Sequence, residues 1–332
     1  IRTVDKNHLI IIEGNCWGNN YAGVLPLFDD ASEAQNIALS FHKYWNHNRR
    51  EDIASHLVLR EKHNMPLWLG ETGENSNLWF TDAIALVESE NIGWAWWPLK
   101  KLGFNNPLEI KPNAGYLALV DYWNGKCERP TAVAAKKALM QLATKDIHFA
   151  NNQFHPDVID AMFRQPHTTA TLAFKENSIS PKGGTLNAVD YDMGPSNYAY
   201  FDKDAANYHV ATGGERTPWN RGVQYRNDGV DIAFDERKKT HFVNHIEKGE
   251  WLEYTLDVSQ SGTYQLFAHT RAAAGAVRIK VNNAEPIDAP IQAAVNWQPQ
   301  LLGELRLQQG ANKLRIEAVK GGYELLSLQF KR

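Results

Sequence analysis

Cysteine is scarce in this chain: Cys16 and Cys127 are the only two among 332 residues. Two are too few for a disulfide framework, and their spacing is not that of a zinc or redox pair. Long apolar runs are also missing. None approaches the roughly 18 residues of a membrane-spanning helix, so no membrane partner is expected. Neither sign of charge dominates, since 35 Lys and Arg stand against 38 Asp and Glu for a net charge of −3. That balance gives a polyanion nothing to hold and sets nucleic acid aside as a partner. The one short basic cluster, Arg237-Lys238-Lys239, reads as a solvated loop. The chain opens at Ile1 with neither a methionine nor a secretory signal pattern, and is read as a processed or cut end.

Aromatic residues are plentiful, with 11 tryptophans beside 12 tyrosines. A flat ring offers an apolar face on which the C–H face of a sugar stacks, although much of this content must be core. A hydrophobic fraction of 43% over 332 residues is enough for two cores, and two domains are expected. The 12 histidines show no metal-ligand spacing, and His47, His56 and His63 lie around a helical pattern.

From residue 1 to about 145, short apolar runs alternate with helical periodicity. The strands are read at His8 to Glu13, Ile37 to Tyr44, Leu67 to Gly70 and Ile92 to Trp97. Helices are read at Arg50 to Lys62, at Trp79 to Val87 with Asn75 or Ser76 as cap, near Ala114 to Trp123, and from Pro130 to about Thr144. Strand alternating with helix implies parallel pairing, with the helices packed outside. A closed eight-stranded barrel takes about 250 residues, so this region supplies roughly half of one. Beyond residue 180 the period becomes two. Leu252, Tyr254, Leu256 and Val258 share a face, and further short strands follow between turn residues, as in an antiparallel, jelly-roll-like β-sandwich. The expected class is therefore α/β plus all-β, with 1–145 the barrel portion, 146–180 a connection carrying a short helix near Asp157 to Phe163, and 181–332 the sandwich.

In "PLWLGETGENS", residues 66 to 76, an apolar strand runs straight into an acid. Glu71 is either a solvated loop charge or a carboxylate aimed at a substrate, because residues at the carboxyl ends of barrel strands line the active site. His42 and Tyr44 fall at another such end, two apart and so on one face. Trp97 closes the last strand on the face of Gly93 and Ala95, which leaves room in front of its ring.

"FHKYW", "PLWLGETG" and "GWAWWPLKK", in this order, resemble the sixth, seventh and eighth strands of glycoside hydrolase family 5, the cellulase family, and "IRTVDKNHLIIIEGNCWG" is similar to its fifth. The resemblance covers residues 1 to about 145 and implies the second half, strands five to eight, of a TIM (β/α)8 barrel. It makes Glu71 the catalytic nucleophile of a retaining hydrolase, His42 and Tyr44 the residues beside it, and Trp97 the platform under the sugar being cleaved. Trp17 becomes a candidate platform for a neighbouring sugar. The implied activity is an endo-β-1,4-glucanase acting on β-glucan, secreted or periplasmic because its substrate is. Mannan and other β-glycans stay open, as does a non-catalytic carbohydrate-binding or scaffold role.

Retention requires a second carboxyl group as proton donor. The family's donor is the glutamate of an Asn-Glu pair on the fourth strand, and no such pair occurs in this sequence. Glu13 is a weighed substitute, although the family does not place its acid on the fifth strand. The expectation is that the N-terminal half of the same barrel, as a partner segment, carries the missing acid.

"TLNAVDYDMGPSNYAYFD", "YRNDGVDI", "GEWLEYTLDVSQSGTYQL" and "GGYELLSLQF" resemble carbohydrate-binding module family 6 over residues 180 to 332. The resemblance implies a sugar cleft in which Trp297 matches the family's tryptophan, His245 stands where an aromatic is usual, and Glu324 replaces an asparagine. Two readings stay open: a sugar-binding module, or a sandwich that stiffens the enzyme and packs on the barrel. No cofactor is expected. A structural calcium is doubtful, because Asn187 and Val189 stand where the family often has its glutamate.

Overall fold

The computed structural model describes residues 1–25, 36–44, 46–103, 105–203 and 225–332. Trp45, which ends the FHKYW motif, lies outside the described residues. Four strands, β1 (Ile10–Glu13), β2 (Ile37–Lys43), β3 (Leu67–Thr72) and β4 (Gly93–Trp96), form one parallel sheet in chain order. Its register pairs Glu13 with Ser40 and His42 with Glu71. Acidic and basic groups from three strands thus converge at one end.

Side-chain alternation decides which face of the sheet is covered. Ile37, Leu39 and Phe41 of β2 join Leu67 and Leu69 of β3 in a buried cluster with Ile53, Leu57 and Val87 from the helical layer. Ser40 and Gly70 share the opposite face, where a Cβ on Gly70 would stand 2.1 Å from Ser40 Oγ. A Cβ on Gly93 would likewise stand 2.4 Å from the Trp68 ring. The space expected beside Gly93 is therefore filled by Trp68.

The helices follow their sequence signals. The segment expected as a helix from Arg50 begins as a 3-10 turn, Arg50–Ile53, before α1 (Ala54–His63), which ends at Asn64 in the left-handed region. Ser76 Oγ accepts the Trp79 N–H at 3.2 Å and caps α2 (Asn77–Ser89). Asn113 and Thr131 cap α3 (Ala114–Trp123) and α4 (Ala132–Gln141) in the same way. Within 146–180, α5 (Pro156–Phe163) packs Val158, Ala161 and Met162 against Trp79, Phe80 and Ile84 of α2.

Several strand ends differ from the sequence reading: β1 and β4 begin later, at Ile10 and Gly93, and β3 runs two residues past Gly70 to Thr72, so that Glu71 lies within it. Tyr44 lies one residue beyond β2, and Trp97 one beyond β4. The Trp97 N–H still reaches Thr72 O at 2.7 Å, but the next residue is Pro98, which has no N–H to extend the ladder. A small sheet of Lys100–Lys101, Leu108–Glu109 and Gln153–Phe154 has no counterpart in the sequence pattern.

The β-sandwich comprises β5 (Asn177–Ile179), β6 (Gly183–Asn187), β7 (Tyr200–Phe201), β8 (Ile232–Asp235), β9 (Thr240–Val243), β10 (Trp251–Val258), β11 (Gly262–Ala272), β12 (Gly275–Val281), β13 (Ile287–Ile291), β14 (Ala294–Leu307), β15 (Gly310–Lys320) and β16 (Tyr323–Lys331). One sheet runs β7-β10-β15-β12-β13, with β5 beside β10; the other runs β8-β9-β16-β11-β14, with β6 beside β16. All pairs are antiparallel except β5 with β10. Leu252, Tyr254, Leu256 and Val258 of β10 are all buried in the core between the sheets, as the period of two predicts.

Candidate active site

Glu71 sits at the end of β3, directly across from His42 in the register. The Tyr44 hydroxyl donates to Glu71 Oε1, and His42 Nε2 lies 3.7 Å from Glu71 Oε2. Burial, reinforced by the adjacent Glu71 carboxylate, pushes the Tyr44 hydroxyl well above its usual range. It therefore stays protonated and serves as a donor to the carboxylate it faces. Asn75, fully buried, holds the Tyr44 carbonyl oxygen through its amide at 2.9 Å.

Glu13 joins this group from β1. Its Oε2 lies 3.0 Å from His42 Nε2 and accepts from Ser40 Oγ at 3.2 Å. An imidazole held by a carboxylate at Nε2 carries its proton there. The other nitrogen, His42 Nδ1, is buried and has no hydrogen-bond partner among the described residues. Two carboxylates thus flank one imidazole nitrogen, and only Glu71 is expected from the sequence as a catalytic group. The available signal for Glu13 is the same as for Glu71: an acid at the end of the apolar run HLIIIE.

Trp97 is 52% exposed, its N–H meets Thr72 O next to Glu71 in the chain, and Gly73 lies against its carbonyl. Trp17 is 79% exposed in the turn that follows β1. Both rings have an open apolar surface, the property a sugar platform needs.

Of the trio expected on the sandwich, Trp297 and Glu324 meet on Arg271, whereas His245 is exposed. Trp297 gives its Nε1–H to Asp235 Oδ2 at 2.7 Å, and the Arg271 guanidinium lies 4.2 Å from the centre of its ring. Arg271 also pairs with Glu324, its cross-strand neighbour, and with Asp235 at 3.1 Å. The Trp297 hydrogen bond and the backbone N–H groups of Lys238 and Arg237 hold the Asp235 carboxyl below its ordinary range. The aromatic beside Trp297 is Phe242, with ring centroids 5.2 Å apart. His245, expected in that place, is exposed, and no hydrogen bond, ion pair or ring contact joins it to Trp297 or Glu324 among the described residues. The reason is local: β9 ends at Val243, and His245 takes a left-handed φ of 49° that turns the chain away. Near the expected calcium position, the Asn187 amide is given to Asp190 at 2.9 Å, and Val189 is buried in the core.

Residues 1–103 match the family model described as Cellulase (glycosyl hydrolase family 5). Among curated proteins, beta-agarase AgaO of Microbulbifer thermotolerans is 33% identical over 82 residues, which cover 22% of this chain and 7% of that protein. The chain thus spans only a small part of the length of that relative. Among solved structures, a ruminal GH26 endo-beta-1,4-mannanase is similar at a TM-score of 0.24 and 20% identity, over 27% of this chain and 19% of the other. The carbohydrate binding module CBM6cm-2 from Cellvibrio mixtus lichenase 5A, in complex with cellotriose, has a TM-score of 0.27 and 18% identity, over 31% of this chain and 87% of the other. The module CsCBM6-3 from Clostridium stercorarium, in complex with cellobiose, has a TM-score of 0.32 and 10% identity, over 48% and 98%.

Proposed function

We propose that this chain, whose residues 1–103 carry the pattern of glycosyl hydrolase family 5, is the nucleophile-bearing part of a retaining endo-β-glycosidase. The observation that carries the reading is Glu71, which takes a hydrogen bond from Tyr44 and stands 3.7 Å from His42 at the strand end where the Trp97 N–H meets Thr72 O.

In this mechanism the Glu71 carboxylate attacks the anomeric carbon of a sugar stacked on Trp97. The bond to the leaving oxygen breaks, a second carboxylic acid protonates that oxygen, and a covalent glycosyl-enzyme forms. Water then enters with the second group acting as base, and the anomeric configuration is retained. The Tyr44 hydroxyl holds the Glu71 carboxylate in place for the attack and releases it when the ester forms. Ser40 and His42 hold Glu13 as an acceptor, which is the opposite of the role a proton donor needs. The acid is therefore assigned to further strands of the same barrel, at the roughly 5 to 5.5 Å that retention requires. Half-exposed Ile11, on the face of the sheet away from the helices, supports such a cover.

β-1,4-Glucan is the first substrate to test, with mannan and agarose beside it, and a polysaccharide substrate implies action outside the cytoplasm, secreted or periplasmic. The full-length protein should hydrolyse one of these polymers with net retention. Glu71→Gln should lower kcat by about 10⁴-fold or more while leaving polymer binding intact. Wild-type turnover in the Glu71→Gln protein would end the hydrolase reading.

A further inference from the structure

A buried hydrogen-bonded path runs from the β-sandwich to the Tyr44–Glu71 pair. Asn227, in the segment that leads into β8, gives its side-chain amide to Asn75 O at 2.9 Å and to Asn77 Oδ1 at 3.0 Å. Its carbonyl oxygen accepts the Asn77 N–H at 2.8 Å, and its own N–H goes to Asp157 Oδ2 at 3.0 Å. Asn77 Nδ2 closes the ring on Asp157 at 2.8 Å. From there the Asn75 side chain holds Tyr44 O at 2.9 Å, and Tyr44 holds Glu71.

Every side chain in this junction is buried: Asn75, Asn77, Asp157 and Asn227 are each at most 3% exposed. Away from water, an amide hydrogen bond keeps its direction, and losing one partner leaves the other unsatisfied. The far end is clamped as well. Arg226, itself buried, lies 4.2 Å from the Phe174 ring and 4.1 Å from the Tyr191 ring, and pairs with Asp228 at 3.0 Å. Asn227 thus sits between two immobilised neighbours. By contrast, one face of the Trp297 ring is taken up within the sandwich by Arg271, which also pairs with Glu324.

We infer that Asn227 is a positioning residue: the sandwich sets, through Asn227 and Asn75, where the Tyr44 hydroxyl stands relative to Glu71. The sandwich is then a structural part of the catalytic apparatus, not an appended sugar-binding module. The catalytic consequence rests on the proposed hydrolase function, whereas the coupling itself does not. Mechanistically, removing the Asn227 amide takes two hydrogen bonds from the loop that carries Asn75 and leaves only the backbone bond to Asn77, so the Asn75 side chain shifts and with it the backbone anchor that aims the Tyr44 O–H at Oε1. A displacement on the scale of an ångström at that bond is enough to slow the chemistry without altering how polymer binds.

The test uses the full-length protein with 3-fluorotyrosine at position 44. Asn227→Ala should move the ¹⁹F resonance of that residue in the same direction as Glu71→Gln does. On the best polymer substrate it should lower kcat roughly tenfold with KM nearly unchanged. In a Tyr44→Phe background the same substitution should have no further effect on kcat, because its action passes through the hydroxyl. A general loss of stability would instead reduce kcat equally in both backgrounds. Asn75→Ala, which keeps the backbone oxygen used by Asn227, cuts the last link together with the local Ser76 N–H bond to Asn75 Oδ1 at 2.8 Å, and should give the same shift, even if Asn227→Ala does not fold. An unmoved resonance in a folded variant overturns the inference, as does additivity with Tyr44→Phe. If the wild-type protein cleaves no β-glycan, the hydrolase reading falls, and the resonance alone still decides the coupling.

Discussion

Gly73 faces the backbone carbonyl of Trp97, and a Cβ at position 73 would stand 2.0 Å from Trp97 O. The φ of Gly73 is 147°, in the half of conformational space that side chains avoid. Both facts have one origin. After β3 delivers Glu71, the chain passes directly against the end of β4, where the Trp97 N–H meets Thr72 O at 2.7 Å.

Gly73→Ala is accordingly expected to destabilise the full-length protein by about 2 to 3 kcal/mol, since backbone rather than a flexible side chain blocks the new methyl group. The same shift should push Trp97 off its place and raise KM for the polymer more than it lowers kcat. Thermal unfolding and steady-state kinetics on one preparation measure both effects. An unchanged melting temperature would show that the close approach between these two segments is not present in solution.

Glu13 separates a positioning role from an acid's role. As a partner of His42 Nε2 at 3.0 Å, it orients the imidazole that lies 3.7 Å from Glu71. Glu13→Gln keeps an oxygen that can accept from the imidazole and is expected to lower kcat by roughly tenfold or less. If Glu13 were the acid/base, the same substitution would cost about a thousandfold or more, and added azide would restore turnover by attacking the glycosyl-enzyme without a base. A large loss with azide rescue would therefore make Glu13 itself the acid/base, in place of a residue on other strands.

Much of the parallel sheet is legible because three of its four strands are apolar runs that end in a polar or charged residue, whereas the irregularity at Gly70, which pairs His42 with Glu71 directly after Phe41 with Leu69, is not. The cluster at the strand ends follows from that register: once His42 is paired with Glu71, the hydroxyl of Tyr44 two residues on can reach the same carboxylate. What the pattern leaves out is contact between residues far apart in the chain. Nothing local to Asn227 tells that it binds Asn75 and Asn77, some 150 positions away. The same limit explains the sandwich. Trp297 reads as a platform in isolation, and its ring is covered because Arg271 arrives from a different strand of the same sheet. His245 misleads for another reason: its aromatic character suits the expected position, but its left-handed backbone carries it away and leaves Phe242 in contact with Trp297.

Lys43 carries a prediction about pH. Alternation along β2 places it on the face of Phe41, toward the helices, where it is 3% exposed. Its ammonium gives hydrogen bonds to Asn46 Oδ1 at 2.6 Å and to His47 O at 2.7 Å, and lies 5.0 Å from the centre of the Trp79 ring. Burial lowers its pKa from 10.5 to about 7, with the charge of Asp52 opposing the shift. Between those two values the unfolded chain holds a proton that the folded chain has released. Stability against unfolding should therefore rise as pH increases from about 7 toward 10.5, by up to about 1.4 kcal/mol per pH unit from this group, and be independent of it below the folded value. Lys43→Met removes the titrating amine and should flatten that part of the profile, whatever its effect on stability at neutral pH. Urea unfolding of both proteins across this range makes the measurement, and an equal slope in the two would mean that Lys43 keeps its proton in the folded state.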